Sequence, residues 1–181
     1  MSVLLPAAGR TATAWKNGGG VTREIVCSPA GAGMAAFTWR VSLAEVAASG
    51  PFSVFPYVER TLTLVEGAGM DLTVGGRRRL VDTRHVPRDL PGDEPTDCRL
   101  LDGPVVNLNV MWRRGTSAPT VAVVRGRIGL RAAHALIVAL DEDGTAVGDG
   151  VWLARHDALL LTGEDALVHA HGPTAIVGLG A

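Results

Sequence analysis

Apolar and polar residues alternate along this chain in short runs, and Gly-, Pro- or Asp-rich turns interrupt them before a helical repeat can develop. Thr22 to Cys27, Phe37 to Ala44, Arg60 to Glu66, Met70 to Val74, Val105 to Trp112, Val121 to Arg125, His134 to Leu140 and Ala158 to Thr162 each read as a short strand. Leu43 to Ala48 is the one tempting helical piece, stopped at once by Ser49-Gly50-Pro51, and reads equally as the end of a strand running into a loop. The pattern predicts an all-β chain, a sandwich or barrel, with less than about 15% helix against the roughly 30–35% of an ordinary globular domain. Leu64 to Met70 and Val123 to Gly129 share a strand, glycine turn, strand layout. That faint duplication divides the chain into two β halves, residues 1–115 and 119–181, packed as one compact unit. Pro87 to Pro95 reads as a surface loop, and Arg77-Arg78-Arg79 after Gly75-Gly76 as a solvated hairpin end.

Strand parity then sorts the polar side chains. In Arg60-Thr61-Leu62-Thr63-Leu64 the arginine shares the face of the two leucines, which puts a guanidinium on the interior side at the start of a strand. There it either holds a carboxylate bidentately or snorkels outward from the preceding loop. In Phe37 to Leu43 the odd positions are apolar, so Trp39, Val41 and Leu43 point into one core. Arg40 and Ser42 then face solvent or a second layer, with a structural ion pair from Arg40 to Glu24 or Glu45 favoured over a ligand contact. Asn107 and Asn109 lie together on one face of an apolar strand, either as members of a polar network or as ligand donors.

The densest polar stretch is Trp15-Lys16-Asn17-Gly18-Gly19-Gly20-Val21-Thr22-Arg23-Glu24. Three adjacent glycines allow positive φ and close backbone approach. They form either a bulge between strands or a ligand-facing edge with backbone N–H groups on offer. They match neither a dinucleotide-binding nor a P-loop glycine pattern. The candidate ligand-binding set is Arg60, Thr61, Trp15, Lys16, Asn17, Gly18, Gly19, Glu24, Arg40 and Asn109.

Composition narrows the function classes. Of 181 residues, 47% are hydrophobic and 19% charged, with a net charge of −1, so nothing pulls the chain toward nucleic acid or an anionic membrane. Cys27 and Cys98 form no C-x-x-C pair and fit a reducing, cytoplasmic compartment as buried thiols. No apolar run approaches the roughly 18 residues of a membrane span, and no signal-type segment opens the chain. His169-x-His171 lacks further ligands at a metal-like spacing, so no metal and no cofactor is expected. No serine lies in a nucleophile elbow and no carboxylates are paired, so no catalytic residue is assigned.

Several passages resemble the HutD/Ves family: Trp15 to Gly20 with Thr22-Arg23-Glu24, Phe37 to Val46, Gly50 to Pro56 and Arg60 to Gly67. Pro91-Gly92-Asp93, Leu101 to Pro104, and Asn107 to Met111 with Arg113-Arg114 continue the match along almost the whole chain. The resemblance implies a cupin-type double β-barrel (a bicupin). It also implies a role in histidine utilisation as a metal-independent binder of a small anionic metabolite, of the N-formylglutamate or urocanate type, that modulates the pathway. A metal-free cupin enzyme acting on a similar carboxylate, with Glu24 as acid or base, is one alternative. A protein-interaction module, including a homodimer, is the other. Asn107 stands where the family pattern has an acidic residue.

Overall fold

The computed structural model describes residues 1–180, the side chain of Ala132 excepted. Fifteen strands run in chain order, and no helix occurs among the described residues. They are β1 (Val3–Leu5), β2 (Ala12–Ala14), β3 (Gly20–Ser28), β4 (Trp39–Val46), β5 (Gly50–Phe52), β6 (Val58–Glu66), β7 (Met70–Val74) and β8 (Arg77–Val81). There follow β9 (Arg88–Pro91), β10 (Thr96–Leu100), β11 (Val105–Arg113), β12 (Thr120–Ala139), β13 (Thr145–Val147), β14 (Val151–Leu153) and β15 (Ala158–Gly178). The chain divides into two compact units, Thr11–Thr116 and the segment from Ser117 onward together with Met1–Arg10.

Within Thr11–Thr116, a six-stranded sheet of order β2-β3-β4-β11-β6-β9 and a four-stranded sheet of order β5-β10-β7-β8 share one core. Val46, Leu62, Leu64 and Val105 of the larger sheet pack with Met70, Leu72, Val74 and Cys98 of the smaller. Strand parity explains this, because each inward residue is followed by one on the opposite face. Each sheet ends in edge strands, so the ladders curl without closing, and the closed double barrel that the resemblance implies is not formed by these hydrogen bonds.

The structure settles three local readings. Gly75 and Gly76, both at positive φ (52° and 78°), make a two-residue hairpin turn between Val74 and Arg77. The arginine run after it is therefore the edge strand β8, whose charges discourage pairing with another chain. Residues 87–95 hold β9, an edge strand that ends at Pro91, where a missing N–H is tolerated. Leu43 to Val46 stays in β4 and is not helical.

The other unit is built on two long, bent strands. Residues 135–138 of β12 pair on one side with residues 158–161 of β15 and on the other with residues 175–178 of the same strand. Such double pairing requires both strands to fold back, and Gly126 and Gly163 supply positive φ (83° each) in the two strands. β1 extends the ladder through Val3↔Leu160, while β13 pairs with residues 168–170 and β14 with β13. Ile137, Leu153, Leu159, Leu161 and Val168 form its core.

Candidate functional site

Rows across the six-stranded sheet define the site. Met111 in β11 pairs with Arg60 in β6 on one side and Arg40 in β4 on the other, and Asn109 is flanked in the same way by Leu62 and Ser42. These side chains, with Ala44, Val46 and Asn107, line a cavity of about 460 Å³ inside Thr11–Thr116. Trp15 and Lys16 contribute from the turn between β2 and β3, Thr22 from β3, Phe52 from the end of β5, Ser53 to Phe55 from the loop after it, and Met34 from the loop after β3.

Arg60 dominates its electrostatics. The residue is 4% exposed and has no carboxylate within ion-pair distance among the described residues. Its Nη2 donates to Thr96 Oγ1 at 3.3 Å, its Cζ lies 5.4 Å from the centre of the Phe52 ring, and its Nε has no partner. Burial pushes the guanidinium down to about 10, well below its ordinary range. Phe52 in turn meets Trp15 edge-on at 5.7 Å, so an aromatic wall stands beside the cation. Below it, Asn107 Oδ1 and Asn109 Oδ1 are buried without partners, and Asn107 Nδ2 donates only to Met70 Sδ at 3.7 Å.

Arg40 at the rim already has a counter-ion. Arg40 Nε donates to Glu24 Oε2 at 2.7 Å, and Arg40 Nη1 contacts Met34 Sδ. Lys16 is exposed.

The structure brings Trp15, Lys16, Arg40, Arg60 and Asn109 of the candidate set into the cavity lining and leaves five others out. Thr61 points to the opposite face, where its Oγ1 donates to Asp89 Oδ1 at 2.6 Å. Glu24 reaches the rim only through Arg40. Asn17, Gly18 and Gly19 close a turn: Gly18 N–H donates to Trp15 O at 3.0 Å and Gly19 N–H to Asn17 Oδ1 at 2.9 Å. Of the three glycines only Gly18 has positive φ (71°), and the N–H groups of Gly18 and Gly19 are spent within the turn. Gly20 is needed for space, because a Cβ there would lie 2.3 Å from the Glu45 carbonyl oxygen. Ser42, Thr22, Phe52 and Met34 line the cavity unannounced by the sequence. The alternation in β4 signals Ser42, once the polar face is seen to be interior.

A metal centre does not fit this cavity. Its lining holds no His, Cys, Asp or Glu side chain, and a divalent cation there would face Arg60. Elsewhere, among the described residues, no group of three or more such side chains converges. His169 and His171 stack 4.2 Å apart beside Trp152. Among the described residues no helix is long and apolar enough to cross a membrane.

An all-β protein of cupin-like fold is what this architecture defines. A cupin 2 conserved barrel domain protein from Leptotrichia buccalis superposes with a TM-score of 0.59 at 11% identity, covering 94% of this chain and 92% of its own, a likeness of fold alone. The chain belongs to the HutD family, whose model matches residues 7–177. Protein Ves of Citrobacter koseri is 33% identical over 156 residues, 84% of this chain and 80% of that one. Protein Ves of Cronobacter sakazakii is 39% identical over 110 residues, and the match spans 60% of this chain and 59% of that protein. HutD from Pseudomonas fluorescens SBW25 superposes with a TM-score of 0.87 at 31% identity over 98% of this chain and 97% of its own. A conserved protein of unknown function from Pseudomonas aeruginosa PAO1 gives 0.90 at 29% identity over the full length of both.

Proposed function

We propose that this protein binds a small carboxylate metabolite in the Arg60 cavity and modulates histidine utilisation in the cytoplasm, with its two units acting as paired cupin-like halves. The observation that carries the reading is the buried cation without a counter-ion. A charge removed from water is costly unless paired, and a carboxylate ligand supplies the missing partner with bidentate geometry. The apolar and aromatic wall gives the rest of a small molecule somewhere to lie. N-formylglutamate and urocanate both present such a carboxylate, and HutD family membership favours intermediates of histidine breakdown. Binding is favoured over turnover because no carboxylate, imidazole or thiol lines the cavity to act as acid, base or nucleophile.

The test is a thermal-shift and calorimetry panel of N-formylglutamate and urocanate on wild type and Arg60→Ala. Saturable binding by wild type that disappears in a folded Arg60→Ala protein is expected. Failure of wild type to bind either acid, or undiminished binding by the variant, would remove the proposal.

A further inference from the structure

We infer that Arg113 is a positioning residue for ligand binding. It latches residues 29–38 so that Met34 stands at the mouth of the Arg60 cavity and slows ligand escape. The inference rests on the carboxylate reading of that cavity.

The β3–β4 connection is longer than the two to five or so residues an antiparallel pair needs. It is closed at its base by Thr38 N–H to Ser28 O at 2.6 Å and carries two internal turns, Ala32 N–H to Pro29 O and Ala36 N–H to Gly33 O, both 3.0 Å. Among the described residues no strand pairs with its tip. Its carbonyls converge on one guanidinium: Arg113 Nε donates to Phe37 O at 2.8 Å, and Nη2 to Ala35 O at 2.5 Å and Met34 O at 3.4 Å. Arg113 has no carboxylate partner among the described residues, so its charge is devoted to these carbonyls. Its Cζ also lies 5.3 Å from the centre of the Phe37 ring.

Two features tie this latch to the cavity. Arg113 continues the alternate positions of β11 that place Asn107, Asn109 and Met111 in the lining, so one strand face supplies both floor and latch. Met34 is then held at both ends, its carbonyl by Arg113 and its sulfur by Arg40, while it lines the cavity and remains 40% exposed. Phe37, fully buried with Val58 and Met111, anchors the connection at its far end. Loss of the latch therefore frees the tip and leaves the fold in place.

The experiment combines backbone hydrogen exchange of residues 30–37 with stopped-flow binding of N-formylglutamate and urocanate. It uses wild type, Arg113→Ala, Arg113→Lys and Met34→Ala. Arg113→Ala should speed amide exchange at the tip and raise the dissociation rate about tenfold, the scale set by one lost charge-assisted hydrogen bond. Arg113→Lys should recover little, because a point charge cannot cap diverging carbonyls as a planar fork does. Met34→Ala should raise the dissociation rate while leaving tip exchange near wild type, a separation that a merely structural arginine would not produce. Unchanged exchange in Arg113→Ala, or faster exchange with unchanged dissociation, overturns the inference while Arg60-dependent binding still stands. A wild type that binds neither acid overturns the carboxylate reading and the latch's role with it.

Discussion

Arg60 and Arg40 flank Met111 in one cross-strand row, yet only Arg40 has a counter-ion, Glu24 at 2.7 Å. The two guanidiniums therefore differ in kind. Arg40 is a partnered charge at the rim, and Arg60 is an unpartnered one inside.

Replacing Arg60 by Met keeps an unbranched stem and deletes the uncompensated charge. Stability should rise by about 1–3 kcal/mol, since the guanidinium is held well below its ordinary range by burial alone. Carboxylate binding should fall by the roughly 2–5 kcal/mol typical of truncating one partner of a desolvated charge pair. Denaturant unfolding and calorimetry on one preparation test both. A variant that is destabilised by more than about 1 kcal/mol and still binds contradicts the assignment.

The same group sets an alkaline limit. Its native value of about 10 lies well below the unfolded one, so above pH 10 the unfolded chain holds the extra proton and stability from this residue rises with pH. Ligand affinity moves the other way. It should be level from about pH 7 to 9 and then decline toward tenfold per pH unit once the free-protein guanidinium deprotonates. Calorimetry across that range gives the profile, and a decline centred near pH 7 would assign the binding to another group.

Both thiols should be unreactive in the native state. Burial pushes Cys98 up to about 11, and burial followed by the neighbouring Glu24 raises Cys27. Ellman's reagent at pH 8 should label neither until denaturant is added, and then both. Between the unfolded value of 9.0 and about 11 the unfolded Cys98 thiol ionises while the native one does not, so its contribution to stability is lost as pH rises through that window.

Gly20→Ala should destabilise by about 1–3 kcal/mol through overpacking, because the added methyl meets the Glu45 carbonyl and the Trp15 ring. Gly19→Ala, whose nearest neighbour is the movable Asn17 side chain, should cost less. Chemical denaturation of the two variants side by side gives the order.

Parity made the interior position of Arg60 legible, because Leu62 and Leu64 fix which face is inward. It was less informative for Arg40 and Ser42, whose face is polar and still interior. Val41 and Leu43 pack on one side of β4 while Ser42, Ala44 and Val46 line the cavity on the other. Alternation reports two faces and does not say that both are covered. Thr61 illustrates the complementary error, since a neighbour in sequence is on the opposite face in a strand. The long strands β12 and β15 read as separate short ones because Gly126 and Gly163 look like turns when they are bends. The role of Arg113 was illegible altogether, as its partners are carbonyls, which every sequence has.

The pairing of β1 with β15 imposes an order of events on synthesis. Val3-Leu4-Leu5 acquires its neighbours only when Ala158 to Leu160 have left the ribosome. Thr11–Thr116 draws its sheets from its own residues and can form as the chain emerges. Strand β1 must meanwhile wait unpaired, the longest exposure among the described strands to nascent-chain binding factors and to neighbouring chains.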